Sequence, residues 1–219
     1  MVFALWLKHT SGAIRIPALK KLHRVVMQQL ARRGGVHLYR VFQRRLEGAA
    51  PLPFPPGYVP AALSQAETLS ACADPLLELS APSVRAAYAA GGVCVGARQA
   101  GALIGYVWFA FEAAPHVAGI WVKVPAGAIY RYKALVLRQH RGKGIAPALY
   151  RFADHLFEGM GREAVVNCIA THNFASTAAS LRSGAQSLGY IGYWQRGERF
   201  SSYHSPAVRA LGLRFYALT

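Results

Sequence analysis

Acidic residues and cysteines are both scarce in this sequence. Its 219 residues contain 9 Asp and Glu against 25 Lys and Arg, which gives a formal net charge of +16. The three cysteines, Cys72, Cys94 and Cys168, lie far apart, and two of them fall within apolar strand patterns. This number and spacing fit neither a disulfide framework nor a metal site. We therefore expect reduced thiols in a cytoplasmic protein and no metal ion.

Long apolar runs are absent as well. Although 53% of the residues are hydrophobic, no run approaches the ~20 residues that a membrane-spanning helix requires. Residues 1–7 are apolar, but no basic residue precedes them and no small-residue cleavage site follows soon after, so we do not interpret them as a signal peptide. The composition predicts one large domain, or one domain with an extension.

The positive charge is concentrated at the two ends of the chain. Residues 1–47 carry ten basic residues and one acidic residue, whereas residues 48–122 carry two basic and four acidic ones. Residues 123–219 carry thirteen basic and four acidic residues. This distribution predicts an acidic partner. Nucleic acid is the least favoured partner, because the sequence contains no nucleic-acid-binding motif.

Residues 136–146, with the sequence VLRQHRGKGIA, carry the clearest chemical signal. A strand-like run ends at a group of charged residues and glycines, and apolar residues at helical spacing begin at Ile145. Glycines allow the backbone to approach a phosphate closely, and the free N–H groups of a first helical turn point towards it. Arg141 and Lys143 add positive charge. The segment therefore predicts a site for a phosphorylated ligand.

Two common phosphate motifs do not match this segment. No Ser or Thr follows Lys143, so it is not a P-loop, and the dinucleotide pattern G-x-G-x-x-G is missing. Residues 141–146 instead resemble the pyrophosphate loop of the GNAT acyltransferase superfamily, Q/R-x-x-G-x-G/A. This resemblance implies that acetyl-CoA, or another acyl-CoA, binds here through the pyrophosphate of coenzyme A.

The resemblance covers about 130 residues, from Gly91 to the C-terminus. It includes a hairpin with the recurring pair Gly105 and Tyr106, and a short helix that Asn173 opens and that stops at Gly184. The implied fold class is α/β (α+β), with a mixed, mostly antiparallel central sheet that is splayed at the cofactor slot and flanked by helices. Predicted strands span residues 93–98, 103–111, 129–137, 164–170 and 186–194.

The N-terminal region is predicted to be a basic helical extension. Residues 17–34 form a helix with Pro at its start and Gly at its end. An apolar stripe of Leu19, Leu22, Val26 and Leu30 would lie on an anionic membrane or pack on the domain itself. Residues 36–46 are a possible first strand, residues 51–57 a stiff linker, and residues 64–73 and 83–90 two short helices. We divide the chain into an extension, 1–50, and an acyltransferase domain, 51–219.

The resemblance also implies the residues that hold the cofactor. Backbone N–H groups of the strand before the loop would polarise the thioester, and the loop and the helix after it would bind the pyrophosphate. The expected cofactor-binding residues are Leu135, Val136, Leu137, Arg141, Gly142, Lys143, Gly144, Ile145, Ala146 and Asn173.

The catalytic residues are less clear because the sequence departs from the family twice. Ser180 stands where the family often places the Tyr that reprotonates the thiolate, and a serine hydroxyl is a far weaker acid. The strand before the loop carries no Glu to act as a base. Glu112 and His116 are candidate bases, although each is equally explained as an exposed loop residue, and a water chain is an alternative. Ser180 and Tyr190 are candidate acids.

Residues 130–133, Tyr-Arg-Tyr-Lys, alternate aromatic and basic side chains. As a strand, one face would carry the tyrosines and the other face Arg131 and Lys133. Such a strand could grip an anionic or planar substrate, or its charges could simply be solvated.

These observations predict an N-acyltransferase that moves an acetyl or other acyl group from coenzyme A to a primary amine by direct attack. The acceptor would be a small-molecule or protein amine. One alternative is a long-chain N-acyltransferase that uses acyl carrier protein, whose acidity would match the net charge, at the inner face of an anionic membrane. Another alternative is a non-catalytic acyl-CoA-binding module, which would account for the serine at position 180.

Overall fold

Eleven strands and six α-helices make up the part of the chain that the structure describes. The structure is a computed structural model, and it describes residues 17–46, 52–117 and 119–218. The expectation for residues 1–7 therefore lies outside the described residues. In chain order the elements are α1 (Pro17–Gly34), β1 (Val36–Arg45), β2 (Tyr58–Leu63), α2 (Gln65–Ser70), α3 (Ala81–Ala89), β3 (Val93–Gln99), β4 (Ala102–Ala110), β5 (Ala113–Val117), β6 (Ile120–Lys123), β7 (Ala128–Val136), α4 (Ile145–Leu156), β8 (Ala164–Ala170), α5 (Phe174–Arg182), β9 (Gln186–Arg196), β10 (Arg199–His204), α6 (Pro206–Leu211) and β11 (Arg214–Ala217).

The strands form two sheets. The larger sheet has eight strands in the order β10-β9-β1-β8-β7-β4-β3-β2, and the smaller has three in the order β11-β6-β5. Every pair of neighbours is antiparallel except β7 and β8, which are parallel. The mixed, mostly antiparallel sheet with flanking helices is confirmed.

The parallel pair β7–β8 is short. The two strands pair only at Ala128↔Ala164, Ile129↔Val165 and Tyr130↔Val166. Beyond Tyr130 and Val166 both strands continue, to residues 136 and 170, without pairing with each other. The larger sheet therefore opens into a V in its interior, which is the splay that the sequence predicts.

Helix α4 packs on this sheet through one face. Ile145, Leu149 and Ala153 recur every four residues and are buried in a core cluster with Val107, a residue of β4. A second cluster fills the space between the larger sheet and the smaller one. The four-residue spacing keeps the apolar stripe of α4 on the sheet, so that the N-terminus of the helix is held at the end of β7.

Most of the predicted elements are confirmed within one or two residues, but five strands and one helix were not predicted. The missed strands are short or interrupted by proline: β2 contains Pro60 and β5 contains Pro115. Pro60 is accommodated because β2 is the last strand of its sheet, where a missing N–H breaks no ladder. Strand β1 lies between β8 and β9, so the residues before position 51 share a sheet with the residues after it. The division of the chain at residue 50 stays a prediction.

Helix α1 packs on the domain through a different face from the predicted apolar stripe. His23 and Met27 are buried, and the His23 ring lies 5.7 Å from the ring of Phe174, at the start of α5. Leu19, Leu22 and Val26 are instead exposed to solvent. Among the described residues, no helix combines the length and hydropathy that crossing a membrane requires.

A buried ion pair joins β1 to α4 and yields a stability prediction. The guanidinium of Arg44 donates to the carboxylate of Asp154, and both side chains are at most 10% exposed. Asp154→Asn should lower the free energy of unfolding by about 3 kcal/mol, because Arg44 would remain buried without its counter-charge. Urea unfolding measures this loss.

Glu158→Gln provides the matched control for this prediction. Glu158 pairs with His155 at the end of the same helix, but both side chains are more than 60% exposed. An exposed pair contributes little, so we expect a loss of at most about 0.5 kcal/mol. Equal losses in the two variants would contradict the role of burial.

Candidate active site

The loop between β7 and α4 is built around two glycines in the left-handed region. Gly142 has φ +79° and Gly144 has φ +78°, and Gly144 is the N-cap of α4. No side chain caps this helix start. Because the first N–H groups of a helix have no partner within it, those of Ile145 and Ala146 are available to a ligand.

The space in front of the loop is open. A Cβ built on Gly142 or Gly144 would meet no atom within 4 Å. Glycine is therefore favoured at these two positions because of the positive φ angles, and not because neighbouring atoms leave no room for a side chain. A side chain there would extend into the space in front of the free N–H groups. The residues present thus fit a phosphate group held by a helix N-terminus.

Three side-chain contacts fix the loop in this shape. The Nε of Arg141 donates to the carbonyl of Val136 at 2.8 Å, which closes the loop onto the end of β7. The Nζ of Lys143 donates to the hydroxyl of Tyr58 at 3.1 Å, and the Nδ1 of His140 lies 3.1 Å from the same hydroxyl. The loop is therefore tied to β2 as well as to its own strand.

A cavity of about 760 Å³ lies against this loop. Four arginines from four different segments line it, and no carboxylate side chain is found among the described residues of its lining. The guanidinium group is suited to phosphate because it offers several N–H donors in a planar fork. The arrangement fits a ligand with several phosphate charges. The four arginines are Arg44, Arg141, Arg151 and Arg182.

A second cavity, of about 260 Å³, occupies the V between β7 and β8. It shares Tyr150 and Ala179 with the loop cavity, so the two spaces are adjacent. Asn173 lines it and caps α5, since its Oδ1 accepts from the backbone N–H of Ser176 at 3.1 Å. The slot between the strands therefore runs directly from the loop into the sheet.

A buried arginine stands where the V begins. Arg131 is the residue after the last paired position of β7, and it is only 6% exposed. Its Nη2 lies 3.3 Å from the Oδ1 of Asn167 and 3.3 Å from the Oγ of Ser180. Its guanidinium also stacks at 3.8 Å over the ring of Tyr150. For the basic residues of β7 the sequence left two predictions, contact with a substrate or exposure to solvent. The prediction of solvent exposure is wrong for Arg131.

A third cavity, of about 600 Å³, lies on the other side of the slot. It shares Tyr132, Lys133 and Cys168 with the slot, so the three cavities lie next to one another in series, and we call this series the path. Its walls are mainly aromatic and aliphatic, and Lys133 is the one charged side chain in its described lining. The aromatic residues are Trp108, Trp121, Tyr130 and Tyr132.

A β-bulge in β7 lies where the slot meets this third cavity. Tyr132 pairs with Trp108 and Leu135 pairs with Tyr106, so two residues of β7 oppose Val107 alone. Lys133, in the bulge, has φ +47°, which is uncommon for a residue with a side chain. Bulges of this kind redirect side chains and backbone groups beside active sites.

The residues predicted to bind the thioester differ in whether their backbone N–H group is free to donate. The N–H of Leu137 donates to the carbonyl of Ile104 at 2.9 Å, so it is occupied within the sheet. Successive N–H groups of a strand point to opposite sides, and that of Val136 therefore points away from β4, on the side where β7 no longer pairs with β8. Val136 also lines the loop cavity.

The structure separates the predicted catalytic residues. Ser180 lines the slot, and His116 lines the third cavity. Glu112 is exposed in the turn between β4 and β5, where its carbonyl accepts from the N–H of Val124, and it lines none of the three cavities. Tyr190 lies on β9, beyond β1, and its hydroxyl accepts from Arg40 at 2.9 Å. The geometry does not bring Glu112 or Tyr190 to the slot.

His116 is held in an aromatic surrounding that keeps it neutral. Its Nε2 lies 2.8 Å from the hydroxyl of Tyr39, and its ring packs against Phe215 and Tyr193. Burial lowers the pKa of His116 to about 4, with a smaller effect from His37. A group with so low a pKa is a weak base at neutral pH.

Several site residues were not identified from the sequence. Arg44 and Tyr58 come from segments far from the loop in the chain, and only the fold brings them to it. Trp121 belongs to β6, a strand of four residues that was not predicted. The alternation of aromatic and basic side chains at residues 130–133 did identify Arg131 as a candidate site residue. It did not predict that Arg131 is buried.

The lowered pKa of His116 predicts a loss of stability in acid. In the unfolded chain a histidine titrates near pH 6.5, so between pH 6.5 and 4 the unfolded state binds more protons than the folded state. The free energy of unfolding should fall as the pH falls through this window. The contribution of His116 is about 2 to 3 kcal/mol.

His116→Gln isolates this contribution, because an amide does not titrate while the other groups are unchanged. Urea unfolding of both proteins at pH 7 and pH 4 should show a smaller loss in the variant, by that amount. Parallel losses in the two proteins would show that the pKa of His116 is not lowered by folding.

Solved structures of other proteins share this fold at low sequence identity. A tandem GNAT protein from the clavulanic acid biosynthesis pathway aligns with a TM-score of 0.52 and 17% identity, over 80% of this chain and 57% of the other. A functionally unknown conserved protein from Staphylococcus epidermidis aligns with a TM-score of 0.51 and 12% identity, over 75% of this chain and 64% of the other. This chain thus spans less than two thirds of the length of either protein. No curated protein matches the sequence.

The sequence model of the acetyltransferase (GNAT) family matches residues 63–184. That range is more than half of the 219 residues and includes the slot, the loop and the short helix that follows β8. Together with the V between β7 and β8 and the glycine loop before α4, the match identifies this chain as a member of the GNAT acetyltransferase family.

Proposed function

We propose that this protein transfers an acetyl or other acyl group from coenzyme A to a primary amine by direct attack. The observation that supports this function best is the path of three adjacent cavities on the two sides of the V. The path begins at the arginine-lined loop cavity, passes the V between β7 and β8, and ends in the aromatic cavity. A donor entering from one side and an acceptor entering from the other would meet in the slot.

In this proposal each part of the path has one task. The free N–H groups at the start of α4 bind the pyrophosphate end of the donor together with Arg141, Arg151 and Arg182, whereas Arg44 already pairs with Asp154. The N–H of Val136, which points away from β4, donates to the acyl arm of the donor. The aromatic cavity holds the acceptor amine next to the bulge in β7.

No carboxylate in the described lining is available as a base. Glu112 lies away from the path, and the neutral His116 has a pKa of about 4. We propose that the amine loses its proton to water before attack, aided by burial, which disfavours the charged ammonium. The rate constant kcat/KM should then rise with pH until the pKa of the acceptor amine itself.

The aromatic cavity favours a particular class of acceptor. Polyamines and aminoglycosides carry several ammonium groups that require carboxylate partners when they are buried, and the residues that the structure describes in this lining offer none. An amine attached to an apolar or aromatic body would instead bury its hydrophobic surface against Trp108 and Trp121. We therefore propose an apolar or aromatic primary amine as the acceptor.

The loop assignment predicts the effect of two substitutions on coenzyme A binding. Arg141→Glu places a negative charge beside the pyrophosphate, and Gly144→Ala adds a Cβ in front of the helix N–H groups. Each should weaken coenzyme A at least ~30-fold, about 2 kcal/mol, which is the range for lost charge-assisted hydrogen bonds. Calorimetric titration of the folded variants measures the affinity.

Gly159→Ala and Arg32→Glu are the matched controls. Gly159 has φ +82° and open space around it, so its replacement has a similar backbone cost away from the loop. Arg32→Glu reverses an exposed charge on α1. Both should bind coenzyme A like the parent. If the loop variants are folded and bind equally well, the assignment fails, and if the parent does not bind at ~1 mM, the proposed function fails with it.

The acceptor assignment predicts the order of activity among simple amines. With acetyl-CoA saturating, release of free thiol should give a kcat/KM for tryptamine at least ten times that for spermidine, which corresponds to about 1.4 kcal/mol. Trp121→Ala should reduce this preference, because it removes one wall of the cavity. A preference for spermidine would contradict the acceptor class, whereas no turnover with any amine despite tight cofactor binding would favour a binding module.

A further inference from the structure

The slot contains a buried positive charge whose hydrogen-bond partners are neutral; the nearest carboxylate that acts on it, that of Asp154, does so at longer range and is itself paired with Arg44. Arg131 is 6% exposed, and the two side chains to which it donates, those of Asn167 and Ser180, are both neutral. A guanidinium remains protonated in proteins, so the charge persists even though burial lowers the pKa of Arg131. A buried cation whose hydrogen-bond partners are neutral is costly, and an anion beside it would offset that cost.

The position of Arg131 suggests when such an anion is present. If the donor occupies the loop cavity and the acceptor the aromatic cavity, the bond that breaks lies in the slot between them. The slot lining includes Arg131 and Ser180. Attack of the amine places a transient negative charge on the carbonyl oxygen, and breaking the C–S bond then moves this charge to sulfur, where it remains on the released thiol end of the donor.

The hydrogen-bond pattern of Ser180 also favours an anion in the slot. Its Oγ accepts from Arg131 at 3.3 Å and from the Nδ2 of Asn167 at 3.2 Å. Two donors occupy both lone pairs of the hydroxyl, so its own proton remains available for a further acceptor. The serine and the arginine thus present an O–H donor and a positive charge to the same part of the slot.

We propose that Arg131, with Ser180, stabilises the thiolate of coenzyme A as the leaving group, in place of a tyrosine that would protonate it. Attack of the amine nitrogen on the carbonyl carbon forms the C–N bond, and the C–S bond then breaks with its electron pair going to sulfur. The ammonium has released one proton to water before attack, the attacking nitrogen releases a second one to water as the amide forms, and no proton has to come from the protein. This inference rests on the proposed function.

The wild-type protein provides the first test, without any substitution. A thiol in water has a pKa near 8.5, and a buried guanidinium should lower that of bound coenzyme A by at least about one unit. Coenzyme A should therefore bind more tightly than its dethio analogue, which lacks the sulfur. The ratio of the two affinities should grow with pH. It should reach at least tenfold at pH values above the pKa of the free thiol.

Two variants test whether Arg131 is the group responsible. In Arg131→Met the thiol of bound coenzyme A, followed by the ultraviolet absorbance of the thiolate, should titrate like the free thiol, and the advantage over the dethio analogue should disappear. In Lys133→Met, which removes an exposed cation from the same slot, the thiol pKa should stay close to that of the wild type. Arg131→Lys, which keeps the charge, should restore part of the shift.

Three results would overturn the inference. One is equal binding of coenzyme A and its dethio analogue by the wild type at every pH. Another is a thiol pKa that changes in Lys133→Met but not in Arg131→Met. The third is that Arg131→Met leaves the thiol pKa unchanged and weakens the binding of succinyl-CoA more than that of acetyl-CoA. This result would mean that Arg131 binds a carboxylate on the acyl group. Failure of the wild type to bind any coenzyme A would instead reject the proposed function.

Discussion

The short parallel pairing of β7 and β8 is the constraint on which the rest of the site depends. Three residue pairs hold the strands together, and beyond them each strand follows its antiparallel neighbour, β4 or β1. The gap therefore lies inside the sheet and has rigid walls. Helices α4 and α5 flank it, and α4 starts where β7 ends, so the loop glycines and the slot form one continuous feature.

The scarcity of acidic residues has two different consequences along this path. At the loop, four arginines gather without a carboxylate in the described lining, which makes the cavity attractive to a polyanion. In the aromatic cavity the same scarcity leaves apolar walls, a neutral histidine and one lysine. The charge composition that first suggested an acidic partner is thus also a feature of the site itself.

The loop and the order of strands around it could be predicted from the sequence because both are local patterns. The glycines at 142 and 144, and the helical spacing from Ile145, identify the loop without any knowledge of the fold. The lining of the cavities could not be predicted in this way. Arg44 and Tyr58 reach the loop across the sheet, and the burial of Arg131 follows from its place at the start of the V, which its strand pattern does not encode.

The position of β1 also determines when this sheet can be completed. It lies between β8 and β9, and its residues pair with partners that come much later in the chain, such as Tyr39 with Ala170 and Ile191. Contacts of such long range close large loops and slow folding. During synthesis β1 therefore has neither of its neighbours until most of the chain has been made. The centre of the sheet therefore forms late, whereas the hairpin of β3 and β4 is able to form as soon as both of its strands have been made.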